Sequence, residues 1–150
     1  MLGWQKPGEP GTISYSPELW EEMFKRVPAE NFGLNYDPSH LVLMMMDHLS
    51  PIKEFRDRIF HVHAKDAAVN MDALDRYGVF GRKLGKGMGY REFRMPGLGS
   101  VDWQGLVDAL KDIGYDYVIS IEHEDPDFEG SEEKVKKGLL VAKENIDKYV

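Results

Sequence analysis

The chain contains no cysteine. Disulfides and thiol-ligated metal centres are therefore excluded. It has no apolar run approaching the roughly 18 residues of a membrane span. Its first residues, MLGWQKPGEPG, lack the apolar stretch of a signal peptide, so a cytoplasmic protein is the expectation. An excess of positive charge is also missing. Nineteen lysines and arginines face 26 aspartates and glutamates, giving a net charge of -7 and a pI near 5.2. That balance argues against a nucleic-acid or anionic-membrane partner. What is present is enough for one domain: 150 residues, 42% hydrophobic and 30% charged. Eight prolines and fifteen glycines predict many short turns rather than disorder.

The periodicity predicts alternating helices and strands. The first ten or so residues read as a loop. Ser16-Pro17 reads as a helix N-cap with proline in the first turn. Leu19, Trp20, Met23, Phe24 and Val27 follow at helical spacing, and the helix should stop before Pro28. FGLNYDPSH (32–40) reads as a strand running into a polar loop. LSPIKEFRDR repeats the Ser-Pro start, with Ile52 and Phe55 on one face. IFHVHAKD reads as a second strand. Residues 67–99 show no clear periodicity and read as a long, lid-like loop. SVDWQGLVDALKDIG is the strongest helix, with Trp103, Leu106, Val107, Leu110 and Ile113 on one stripe and Gly114 as its stop. YDYVISIEHED is a third strand. A last helix from about 131 to 149 should face Val135, Leu139, Ala142 and Ile146 inward. Strands alternating with helices imply an α/β fold of parallel β/α units with right-handed crossovers.

Alternate strand residues face opposite sides. Phe32, Leu34 and Tyr36 oppose Gly33, Asn35 and Asp37. Phe60, Val62 and Ala64 oppose His61, His63 and Lys65. Tyr117, Ile119 and Ile121 oppose Ser120, Glu122 and Glu124. Each strand has an apolar side for covering helices and a side that turns polar toward its C-terminal end, where parallel β/α folds build their sites. Asp37, His63 and Glu122 would project together from three neighbouring strand ends. Two carboxylates and an imidazole suit a divalent cation, Mn²⁺ first, with Mg²⁺, Co²⁺ or Zn²⁺ acceptable. A cation would also offset the cost of placing two acids close together. Taken singly, each residue has a plainer explanation: a structural histidine, an Asp-Pro turn and a solvated acidic loop.

Four motifs carry a resemblance to a known family: NFGLNYDPSHL, IFHVHAKD, MPGLGSVDW and VISIEHEDP. In this order they resemble the C-terminal half of the xylose-isomerase-like (β/α)₈ barrel family, which includes sugar and sugar-phosphate isomerases and epimerases. The resemblance runs from about Ser16 to the end. It implies a single partial TIM-barrel domain over 1–150, an incomplete barrel holding the last three strands and the helix before them. A full barrel needs about 250 residues and eight strands. The missing part would come from a separate N-terminal half-barrel chain, from a homo-oligomer or from a longer polypeptide.

By the family pattern one divalent metal ion is held by Glu, Asp, His and Glu from four successive strands. Asp37, His63 and Glu122 match the last three. The first Glu has no counterpart, Glu9 being a poor substitute in its Pro/Gly loop. His40 and Arg94 match positions that contact substrate, and Lys65 is a further substrate-binding candidate. The implied substrate is a small sugar or sugar phosphate. The implied reaction is isomerisation or epimerisation: the metal stabilises charge as a C–H proton is removed to give an enediolate, with Glu122 as catalytic acid/base. Arg82, Lys83, Lys86, Arg91 and Arg94 in 67–99 read either as a lid over a sugar or phosphate or as a solvated basic loop. GKGMG lacks the strand and the GK[ST] of a phosphate loop. Two other classes remain: a non-catalytic barrel fragment or interaction module, and a nuclease related to the barrel-fold apurinic endonucleases. Against the nuclease stand the net charge and the residues Arg91-Glu92-Phe93, which stand where its additional ligands would be.

Overall fold

The computed structural model describes residues 13–80 and 89–150. The opening loop, Glu9, Arg82, Lys83, Lys86 and the GKGMG run as far as Met88 lie outside the described residues. The elements are α1 (Pro17–Arg26), β1 (Leu34–Tyr36), α2 (Pro38–Leu43), α3 (Ser50–Glu54), β2 (Ile59–Ala64), β3 (Asp66–Val69), α4 (Met71–Tyr77), β4 (Arg91–Arg94), α5 (Trp103–Asp112), β5 (Ile119–Ile121) and α6 (Glu132–Ile146). A 3₁₀ turn, Arg56–Arg58, leads from α3 into β2.

Three strands form a parallel sheet in the order β1-β2-β5. The architecture is thus the expected α/β one, with consecutive parallel strands joined through helices. Its core lies against the helix-covered side of the sheet. Tyr36, Ile59, Val62 and Ala64 from the strands meet Leu41, Ile52, Trp103, Leu106, Leu110 and Ile146 from the helices, all buried. Trp20 of α1 packs edge-on against Tyr36 and Phe55, at 6.1 and 5.5 Å between ring centres. Val27 closes α1 before Pro28 as the sequence predicts.

The structure departs from the sequence reading in several places, each with a local cause. Asp37-Pro38-Ser39 does not open a loop; it starts α2, with Asp37 as N-cap accepting the Ser39 N–H at 3.0 Å. Ser50 does not cap α3. Asp47 collects the Leu49 and Ser50 N–H groups instead, at 2.8 and 3.4 Å. Phe60, expected to be inward, is 38% exposed while Ile59 is 2% exposed. The pairing explains this. Leu34 lies opposite Ile59 and Asn35 opposite His61, so Phe60 is an extra residue in a bulge that breaks the alternation. Gly33 makes room for it, because a Cβ there would come within 2.4 Å of the Arg58 carbonyl and 2.6 Å of the Phe60 ring.

Residues 67–99 are not a bare connection. They hold most of β3, all of α4 and all of β4, and β3 pairs antiparallel with β4 from Asp66↔Arg94 to Val69↔Arg91. In α6 the buried stripe is Gly138, Ala142 and Ile146, whereas Leu139 is 38% exposed. Phe128 and His123 crowd position 138, where a Cβ would sit 3.0 Å from each, so a glycine faces in there. β5 is shorter than expected, with Tyr117 and Val118 outside it and exposed.

Candidate metal centre

The three predicted ligands do converge. Asp37 follows β1, His63 lies near the end of β2 and Glu122 follows β5. One donor atom from each lies within 4.8 Å of the others. His63 Nδ1 is 2.5 Å from Glu122 Oε2 and 4.0 Å from Asp37 Oδ2. Parallel register produces this gathering: His63 lies opposite Ser120 and Ala64 opposite Ile121, which brings the ends of β2 and β5 level.

The two oxygens of Asp37 have separate tasks. Oδ1 accepts the N–H and hydroxyl of the buried Ser39, at 3.0 and 2.6 Å, which fixes the carboxylate on the first turn of α2. Oδ2 is buried and accepts no well-aligned hydrogen bond. It points at one ammonium and two imidazole rings: Lys65 Nζ at 3.1 Å, His40 Nε2 at 3.3 Å and His63 Nδ1 at 4.0 Å. A buried carboxylate oxygen without an aligned donor is what a metal ligand looks like before its ion is added. His63 Nε2 lies 3.0 Å from the Asn35 side-chain amide. With its Nδ2 donating there, the amide puts the imidazole proton on Nδ1; turned so that its oxygen accepts from Nε2–H, it leaves Nδ1 free to ligate. The oxygen and nitrogen donors fit a divalent ion of the Mn²⁺, Mg²⁺, Co²⁺ or Zn²⁺ type.

Lys65, one residue beyond β2, is 2% exposed. Its ammonium contacts Asp37 Oδ2 at 3.1 Å, Glu122 Oε1 at 3.2 Å and Glu124 Oε2 at 3.2 Å, and lies 4.6 Å from the centre of the Phe93 ring. Burial opposes its charge, yet Asp37 and Glu122 outweigh burial and hold its pKa above the ordinary lysine value. Burial likewise opposes the charge of Glu122, but Lys65 and then His63 outweigh it and hold its carboxyl below the usual value. His40 stacks edge-on against Phe93 at 5.6 Å. Burial pushes its pKa down against the pull of Asp37, so it is kept neutral.

Arg94 points elsewhere. Its guanidinium pairs with Asp127 at 2.7 Å, Asp125 at 3.4 Å and Glu92 at 3.5 Å. Sequence reasoning also missed Asn35, Phe93 and Glu124 as parts of the centre. For Asn35 and Glu124 the signal was present, since they share strand sides with Asp37 and Glu122. It missed Asp66 altogether. The Asp66 carboxylate is fully buried and accepts five donors. Oδ1 takes Ala67 N at 2.8 Å and Val101 N at 3.0 Å; Oδ2 takes Gly97 N at 2.9 Å, Gly99 N at 3.1 Å and Trp103 Nε1 at 2.9 Å. This fastens the MPGLGSVDW segment beside Lys65. Gly99 has to be glycine, because a Cβ would sit 2.2 Å from Asp66 Oδ1.

A cleft of about 560 Å³ opens beside β1 and reaches the three candidate ligands, with Trp20, Met23 and Phe32 on its apolar wall. Residues 4–145 match the model of the xylose isomerase-like TIM barrel family. Inosose dehydratase from Lacticaseibacillus casei is 33% identical over 104 residues, covering 69% of this chain and 34% of that protein. The solved IolI protein with a bound zinc atom superposes with a TM-score of 0.60 at 23% identity, covering 89% of this chain and 44% of that one. D-psicose 3-epimerase from Clostridium cellulolyticum H10, solved with D-tagatose, has a TM-score of 0.60 at 14% identity, covering 90% and 44%. At those identities the structures establish the fold. The chain thus spans about a third of the dehydratase's length and less than half of each of these structures.

Proposed function

The chain belongs to the xylose isomerase-like TIM barrel family, and from that premise we propose that it carries the metal-binding half of a sugar or sugar-phosphate isomerase or epimerase. The observation that carries this reading is the convergence of Asp37, His63 and Glu122 donors within 4.8 Å, with one buried Asp37 oxygen left without an aligned donor. A divalent ion bound there would stabilise negative charge growing on a substrate oxygen. Glu122, kept ionised by Lys65 and His63, is suited to take a proton from the carbon next to a carbonyl. His40, kept neutral, can hold a substrate hydroxyl. Lys65 can orient a carbonyl oxygen from the same side. Arg94 joins them only if substrate draws it from Asp127.

A second acid/base and a fourth ligand are needed to complete the family's pattern. We place them on a strand lying along the open edge of β1, above the cleft, supplied by another chain, a second copy or a further stretch of polypeptide. The dehydratase relatives favour a second outcome from the same first step: after proton removal, loss of a neighbouring hydroxyl instead of reprotonation.

Proton removal and return at one carbon needs a single acid/base beside the bound ion, the role assigned to Glu122. In D₂O with Mn²⁺, the wild-type chain should exchange the C–H proton next to the carbonyl of a ketose, followed by proton NMR. His63→Ala should lose Mn²⁺ binding, and Glu122→Gln should lose exchange by a factor of about 100 or more. Equal exchange in Glu122→Gln and wild type would remove Glu122 from the chemistry.

A further inference from the structure

We propose that Lys65 is a resident cation that competes with the divalent ion, and that Glu124 is the carboxylate to which it withdraws when the ion enters. This rests on the metal reading above. The ammonium sits 3.1 Å from Asp37 Oδ2, the oxygen left over after Oδ1 has capped α2. It also sits 3.2 Å from Glu122 Oε1. A metal ion would need these same two carboxylates. A divalent ion and an ammonium sharing the buried Asp37 oxygen repel strongly. One of them must move, and the side chain has somewhere to go. Glu124 Oε2 is already 3.2 Å from Nζ, and its side chain is 42% exposed. Lysine's flexible four-carbon stem allows such a swing.

The arrangement has a purpose at each stage. Without metal, Lys65 keeps two neighbouring carboxylates compensated and in place, so the centre does not splay. With metal, the displaced ammonium remains paired beside the substrate. The charges are consistent with this exchange: Asp37, Glu122 and Glu124 bring three negative charges against one positive, leaving a deficit of two that matches one divalent ion. The cost is affinity, so the centre should hold its ion in an exchangeable way.

The test is titration of the full 150-residue chain with Mn²⁺, counting free ion by electron paramagnetic resonance. Lys65→Met should bind Mn²⁺ about tenfold or more tighter than wild type, because the competitor is gone. Lys65→Arg, which keeps the charge, should not gain. Equal or weaker binding by a folded Lys65→Met overturns the proposal, since it would make Lys65 a scaffold rather than a rival. A measurement on wild type covers the case in which that variant does not fold. The ¹⁵N resonance of the Lys65 ammonium should shift as Mg²⁺ saturates the site, and an unmoved resonance at saturation overturns the displacement. His63→Ala separates the two levels. If it abolishes binding while Lys65→Met brings no gain, competition fails and the metal centre stands. If neither wild type nor Lys65→Met binds any ion, the metal centre itself falls and the proposal with it.

Discussion

Asp66 and its neighbour Lys65 show how two adjacent charged residues can be buried for different reasons. Lys65 faces three carboxylates at the strand ends, and Asp66 faces five N–H donors on the other side. A carboxylate satisfied this fully is a strong anchor, and every donor it serves loses its partner when it is removed. Asp66→Ala should therefore destabilise the fold by about 3 kcal/mol or more, measured as a lowered urea midpoint. A loss below about 1 kcal/mol would mean that the segment 97–103 is held by its packing instead. At this scale the convergence of Asp37, His63 and Glu122 was legible in the sequence, because a period of two puts them on one side of their strands. Asp66 was not legible. Its loop donors lie 31 to 37 positions away, and no local pattern announces a contact of that range.

Among the elements, the long amphipathic ones could be read and the short polar ones could not. α5 carries enough apolar residues to show its period, and Trp103, Leu106, Val107 and Leu110 are buried as predicted. α2 has six residues, too few for a period to show, and its Asp-Pro start also suits a turn. β3 and β4 have four residues each and gain their identity from pairing with each other. The join between α5 and the loop before α3 should be sensitive to acid. His48 Nε2 accepts the Asp102 N–H at 3.0 Å, which requires an unprotonated nitrogen. Burial pushes the His48 pKa below its ordinary value of 6.5, with Asp47 and Asp102 opposing. The unfolded chain thus takes up a proton more readily than the folded one. The stability His48 contributes is complete above 6.5 and is lost as the pH falls through the lower folded value. The urea midpoint should decline from pH 6.5 downward, and His48→Gln, which keeps an acceptor without the titration, should decline less over the same range. Parallel curves for the two proteins would assign the acid sensitivity to other groups.

For the molecule as a whole, the sequence-derived architecture of three parallel strands agrees with the sheet β1-β2-β5. β1 and β5 are its edges, and beside them Val118 and Tyr117 are 59% and 65% exposed, while Leu140 of α6 is 62% exposed. Among the described residues no strand pairs with the outer side of β1 or β5, and unpaired parallel edges with apolar neighbours favour association. The 150-residue chain should therefore sediment as a species larger than a monomer, or shift to one as concentration rises. A monodisperse monomer across the accessible concentrations would show that the edges are protected and would weaken the case for a completing strand at β1.

The Asp66 hub also bears on how freely the chain between its tied ends can vary in length. It ties positions 66–67 to 97–103 at their bases, so the chain between them begins and ends at one fixed place. Each doubling of the length of such an excursion costs only about 0.6 kcal/mol in closure entropy. A change in the length of that excursion would thus leave in place the base on which the strand-end residues rest.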